Sequence, residues 1–283
     1  YRPLETMPQL SREEVAAVAR DHSKAFERAS PMAGHGLPPT DALAGHHFTA
    51  HYDGGPVMDY RFTSADSLEY RKDGGPWHTA RYNAWENMPK VYIFGHFLAD
   101  MPDHDAHIVV ADCENGKVTA FRGYLNTPYI ANEAGAETMF GKLSGQGIPD
   151  AGEARHERTL DLLGSCFTWS YSPGLTSMHV YSSPNTVSWV IFTPSGHGGA
   201  EWSGSGDFIK IRDQLYFVRW QEEACNGTLG TILINMRTMH DSGIGYHCGR
   251  EELSLSPVGA YARLAGKFDV TKYLGEKRGG YPV

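Results

Sequence analysis

From residue 45 onward, apolar and polar positions alternate in short runs broken by Gly, Asp, Asn and Pro. A period of two over a handful of residues belongs to strands with one buried face. Many such runs, each closed by turn residues, predict an all-β barrel or sandwich. Phe48, Ala50 and Tyr52 share one face, as do Met58, Tyr60 and Phe62, and then Leu68 and Tyr70. Strand alternation directs those sets into a core. The first 30 residues have a different rhythm. Ser11 and Glu14 stand three apart as in a capping box, and Val15, Val18, Ala19 and Phe26 follow at helical spacing, which predicts a short helix. Residues 31–41 are rich in Pro and Gly and read as a linker.

The strand-like runs repeat. Phe48–Tyr52 matches Phe167–Tyr171, Met58–Tyr60 matches His179–Tyr181, and Ser67–Tyr70 matches Thr186–Trp189. Val91–Phe94 then matches Leu215–Val218, and Phe121–Tyr124 matches Gly243–Tyr246, with all offsets between about 119 and 124 residues. An ordered series of this kind predicts a duplicated unit. The expected division is a helix and linker over 1–41, a first antiparallel β-barrel over 42–150, and a second barrel with a C-terminal extension over 151–283. The matches set His179 against Met58. They also set Tyr216, Val218, Trp220 and Glu222 against Tyr92, Phe94, His96 and Leu98. A barrel of about eight strands has room for side chains or one small ligand, and buried polar groups are costly unless bonded. The second barrel is therefore the expected ligand cavity, and the first its structural copy.

Composition narrows the partners. Of 283 residues, 41% are hydrophobic and 20% charged, which excludes a disordered chain. The net charge of −8, with no Lys/Arg cluster, opposes nucleic acid as a partner. No apolar run is long enough to span a membrane and no signal-peptide pattern is present, so a cytoplasmic protein is expected. Cys113, Cys166, Cys225 and Cys248 form no CxxC pair, so neither a zinc nor a redox motif arises from them. The 14 histidines make no HxH or HExxH pair and read as surface and capping residues. Asp100, Asp103, His104, Asp105 and His107 read as a solvated turn rather than a metal site. Thr193–Gly199 is Gly-rich but lacks the Lys-Ser/Thr of a phosphate loop, and reads as a mobile connection over the barrel mouth. The absence of a GxSxG elbow excludes an α/β-hydrolase. No metal, flavin or nicotinamide is expected.

Several of these residues carry a resemblance. Tyr171, His179-Val180-Tyr181, Trp189, Phe208-Ile209-Lys210-Ile211 and the run Leu215–Glu222 resemble the MoaF family, over roughly residues 42–250. That resemblance implies two tandem lipocalin-like barrels. Each half is also distantly similar to phenolic acid decarboxylase, a single small barrel. Trp169-Ser170-Tyr171 matches its Tyr-x-Tyr strand with Trp in the first place. Trp220-Gln221-Glu222 matches its Trp-x-Glu strand, and Lys210 or Arg81 stands nearest to its arginine. This second resemblance implies a cofactor-free reaction inside a barrel.

The candidate chemistry centres on Glu222, His179 and Tyr171. A carboxylate facing a cavity beside Trp220 has its pKa raised by desolvation, which suits acid/base work. His179 has an intrinsic pKa near neutrality, and a phenol such as Tyr171 donates to a carbonyl or carboxylate. Trp169, Trp189, Trp202 and Trp220 form the expected aromatic wall, with Tyr181, Lys210 and Tyr216 as further ligand contacts. The competing structural roles are an ion pair of Glu222 with Lys210 or Arg219, a satisfied core histidine at 179, and plain aromatic core. The expected function is a cofactor-independent lyase, isomerase or cyclase acting on a small aromatic or polyketide-like molecule. The alternatives are a non-catalytic carrier of a small hydrophobic ligand and an accessory protein whose outer surfaces bind a partner. Homodimerisation stays open.

Overall fold

The computed structural model describes residues 32–99, 104–125, 134–192, 201–222, 228–248 and 253–270. Of Trp202 and Glu222 it describes the backbone alone, and the helix expected before residue 31 lies outside the described residues. The first sheet comprises β1 (His47–Tyr52), β2 (Val57–Phe62), β3 (Ser67–Lys72), β4 (His78–Arg81), β5 (Asn83–Met88), β6 (Val91–Phe97), β7 (Ala106–Asp112), β8 (Lys117–Tyr124) and β9 (Gly135–Gly145). All neighbours are antiparallel, and β9 returns to pair with β1. The sheet curls into a barrel that is open only between β4 and β5 among the described residues.

The second sheet comprises β10 (Glu157–Arg158), β11 (Ser165–Ser172), β12 (Leu175–Ser183), β13 (Thr186–Phe192), β14 (Glu201–Arg212), β15 (Leu215–Glu222), β16 (Thr228–Asn235), β17 (His240–Cys248), β18 (Leu253–Val258) and β19 (Tyr261–Lys267). Here β14 pairs with β15 as well as with β13, so the ring closes. The architecture is all-β with two antiparallel barrels. The inward faces are those the alternation predicted. Phe48, Ala50, Tyr60, Phe62 and Leu68 fill the first barrel, and Phe167, Trp169, Tyr181, Val187 and Trp189 fill the second.

Strand register corrects the repeat in two places. Phe48 stands opposite Tyr60 and Tyr60 opposite Tyr70. Phe167 stands opposite His179 and His179 opposite Trp189. The counterpart of His179 is therefore Tyr60, and Met58 corresponds to Ser177. A two-residue slip leaves the inward face unchanged, so the sequence pattern alone does not reveal it. In the second place the shift is of one residue: Phe121, paired with Ile108, corresponds to Ile244, paired with Thr231, and not to Gly243.

The barrels join through their outer faces. Trp85, Ile93, Ile108, Val110 and Phe121 pack against Ile209, Ile211, Phe217, Leu233 and Ile244, with the Phe121 and Phe217 rings stacked 4.3 Å apart. Asn87 Nδ2 donates to the carbonyl of Leu233 at 2.7 Å, and Asn235 Nδ2 to that of Asn87 at 2.6 Å. Arg212 grips the buried Asp112 through Nε at 3.1 Å and Nη2 at 2.6 Å. A bidentate pair is the geometry that compensates a buried carboxylate.

Residues 32–40 form an ordered strap. The amide of Gly259 donates to Met32 and that of His35 to Tyr171, both at 2.8 Å on the second barrel. Thr40 then donates to Ala84 on the first barrel, also at 2.8 Å. Two expectations about histidines and acids fail. Asp105 and His107 do not lie in a solvated turn: both are 1% exposed, and Asp105 binds Arg122. His107 and His156 are buried, where capping or surface positions were expected, while His96 and His179 are buried on the inward faces where the alternation put them. Neighbouring strands cover them, which local polarity does not encode.

Candidate functional site

The site is built on the inward faces of β11, β12, β13 and β15. The β12 backbone is paired on both sides, so His179 is held between Phe167 and Trp189 in the ladder. Its ring lies 5.3 Å from that of Trp220 and 6.1 Å from that of Trp169. Trp220 reaches this position because its strand partner is Gly230, where a Cβ would lie 2.1 Å from the indole. Met32, Tyr171, Leu175, Ser177, His179, Trp189, Ile191 and Trp220 line a small pocket, which no sequence motif had connected with Met32. The space between them is about 20 Å³, enough for roughly one water molecule. The Ser177 hydroxyl donates to the Tyr171 phenol at 3.3 Å.

Electrostatically the described lining is neutral. Burial pushes His179 down to about 3, so at pH 7 it is an uncharged imidazole. The near-neutral titration expected from its type does not survive desolvation. Among the described residues, no hydrogen-bond partner lies within reach of Trp169 Nε1, His179 Nδ1, Tyr181 Oη, Trp189 Nε1 or Asp241 Oδ2, all of them buried. Tyr181 packs on Phe208 at 5.3 Å and on Phe167 at 6.2 Å.

Other expected residues fall elsewhere. Lys210 Nζ pairs with Asp161 Oδ2 at 2.7 Å, and Tyr216 Oη donates to the same oxygen at 3.0 Å. Both are thereby held away from the pocket lining. Tyr216 is four residues before Trp220 on β15, about 13 Å along the strand. Trp202 pairs with Trp189 and Glu222 with Thr228 in the backbone ladder, while their side chains lie outside the described residues. The connection 193–200 also lies outside them.

Asp241 was missed. The ladder shows the signal that was available: Asp241 stands opposite Ile234 as Val118 stands opposite Ala111. Once the two halves are aligned by register, an inward valine has become an aspartate. By the same alignment Phe62 has become Tyr181.

The first barrel is not apolar either. Tyr60 Oη lies 3.5 Å from both His96 Nε2 and His107 Nδ1, and His96 Nδ1–H donates to the carbonyl of Phe97 at 3.0 Å. Burial lowers His96 to about 4 and His107 below its usual range as well. The contrast between the barrels lies in satisfaction. In the first, Tyr52 Oη is the inward-facing polar atom without a partner among the described residues, against five in the second. No group of three or more His, Cys, Asp or Glu among the described residues is arranged to hold a metal. No described helix is long and apolar enough to cross a membrane.

Fold and site together define a double lipocalin-like barrel protein with an aromatic pocket in its second half. The chain belongs to the MoaF family: the MoaF N-terminal domain model matches residues 25–127 and the MoaF C-terminal domain model residues 156–268. No curated protein matches it. A solved structure described as "Crystal Structure of a putative beta-lactamase from Burkholderia vietnamiensis" is similar at 15% identity, over 38% of this chain and 99% of that one, with a TM-score of 0.32. At that score it supports no statement about chemistry.

Proposed function

We propose that the second barrel is a receptor for one small, flat, uncharged molecule. The observation that carries this reading is the buried, unpartnered polar atoms of the pocket lining, the Trp189 indole N–H and one imidazole nitrogen of His179, with the unpartnered Trp169 indole N–H next to His179. Buried polar atoms are nearly always bonded in folded proteins, and a ligand with both donor and acceptor groups satisfies these. The described lining holds no charge at pH 7, so the ligand is neutral, unlike a phenolic acid. Aromatic rings on three sides favour a flat shape. Met32 lines the pocket, and its unbranched side chain adapts readily to a guest. The full chain is tested by tryptophan fluorescence titration with phenol, acetophenone and indole. Saturable quenching is expected, weakened about fivefold or more by His179→Phe, since one lost hydrogen bond is worth ~1 kcal/mol. Quenching that is linear, or the same in the variant, refutes the reading.

A second reading is chemistry on that molecule, by a cofactor-independent lyase, isomerase or cyclase mechanism. It is favoured by the β15 register, which sets Glu222 where the first barrel has Leu98. Glu222→Gln is expected to keep binding and lose turnover, and unchanged turnover rejects the catalytic role.

A further inference from the structure

The outer faces that join the barrels are built from equivalent strands of the two repeats, yet the two ends of the joint differ. Asn83 pairs with Gly95 across β5 and β6 as Asp207 pairs with Arg219 across β14 and β15. Gly95 is therefore the counterpart of Arg219, and Asn83 that of Asp207. At one end side chains fill the space. The Arg219 guanidinium lies 5.9 Å from the Phe121 ring, and Arg158 grips Asp207 at 2.8 and 2.9 Å. At the other end Gly95 brings no side chain and faces Ile244, the counterpart of Phe121. A Cβ on Gly95 would lie 2.7 Å from Ile244 Cδ1, so this end keeps no room for a side chain like that of Arg219. A pocket of about 200 Å³ opens beside them, against about 20 Å³ for the pocket inside the second barrel, and the two share no lining residue.

We propose that this pocket at the joint is a second binding site, for a small carboxylate carrying one ring or a short apolar chain. Its apolar wall comes from both barrels: Trp85 and Phe97 from the first, Ile244, Leu255 and Pro257 from the second. A cavity of ~150 Å³ admits benzene, so this one takes a single ring with its carboxylate. The polar edge is Arg81 and Asn83, where β4 turns into β5. Among the described residues Arg81 is the one charged side chain of the lining, which sets the sign of the ligand. Arg81 Nη2 already pairs with Asp66 Oδ2 at 2.6 Å, but the arginine side chain is 81% exposed. A pair so exposed contributes little, and a planar guanidinium has five N–H donors in a fork that matches a carboxylate. The exchange of aspartate for asparagine at position 83 points the same way. A carboxylate there, as at Asp207, would repel an anion, whereas the Asn83 amide donates to one. The bound molecule touches both barrels, so the site exists only where they are joined.

The probe is 4-fluorobenzoate, titrated with the full chain at low salt and followed by fluorine NMR. Saturable binding to the wild type is expected. Arg81→Gln should weaken it about tenfold, because a hydrogen bond to a charged group is lost. Arg81→Lys keeps the charge without the fork and should recover part of the affinity, which a merely structural role of Arg81 would not give. Leu255→Trp fills the pocket and should abolish binding, while His179→Phe, in the other pocket, should leave it unchanged. Circular dichroism establishes that the variants are folded. Arg81 is exposed, so its variants carry the test if Leu255→Trp does not fold. Affinity unchanged in Arg81→Gln overturns the proposal. So does a loss of binding through His179→Phe, which would place the probe inside the second barrel, and so does the lack of saturable binding to the wild-type chain.

Discussion

Replacing Asp241 by Asn keeps the side-chain shape and the oxygen that accepts from Ala260, and removes the titrating proton. In the folded protein burial holds this acid up to about 8, against an ordinary carboxyl value of 3.8. A raised acid adds stability that is complete below the unfolded pKa and is lost as pH rises towards the folded pKa. Between about pH 4 and pH 8 the unfolded chain ionises while the folded one does not. Wild-type stability should then fall by about 1.4 kcal/mol per pH unit from this residue alone. By pH 7 the accumulated loss is about 4 kcal/mol, a large part of the whole stability of an ordinary domain. Tyr181, the titratable group whose charge couples to Asp241, stays neutral throughout this range. Urea unfolding of wild type and Asp241→Asn, followed by tryptophan fluorescence at intervals from pH 5 to pH 9, measures the difference. The variant should gain on the wild type up to about pH 8 and run parallel above it. A gap that does not change with pH would show that Asp241 is ionised in the folded state, and the argument from burial would be wrong.

Three other outcomes follow from the same structure. Burial lowers His96 to about 4 and His179 to about 3, so the stability these two lend is present above pH 6.5 and lost as pH falls. Together they should cost about 2.7 kcal/mol per pH unit between roughly pH 6.5 and pH 4; a melting temperature that stays flat from pH 7 to pH 5 contradicts this. Met32→Ala enlarges the pocket, and indole should then quench fluorescence at lower concentration; unchanged or weaker quenching means that Met32 does not limit the space for a guest. Arg212→Met strands the buried Asp112 at the junction of the barrels and should destabilise by about 3–5 kcal/mol in urea unfolding. Adding Asp112→Asn should recover much of that, and a loss that is merely additive argues against the pair.

The alternation of side chains by itself determined the all-β class, the two barrels and the inward faces, because a period of two is set by the strand backbone. It marked Trp169, Tyr171, His179, Trp189 and Trp220 as interior, and the structure gathers all but Trp169 around one pocket, with Trp169 packed beside His179. Which residue meets which is another matter. Register is set by hydrogen bonds to a neighbouring strand, and a slip of two preserves the pattern, so His179 was matched to Met58 when its counterpart is Tyr60. That slip hides the substitution of Phe62 by Tyr181, and the one-residue shift between β8 and β17 hides that of Val118 by Asp241. The burial of His107 and the removal of Lys210 to Asp161 depend on residues distant in sequence. Met32 carries no local signal at all: it lines the pocket because the backbone of Gly259 holds it there, and only the tertiary structure brings those two residues together.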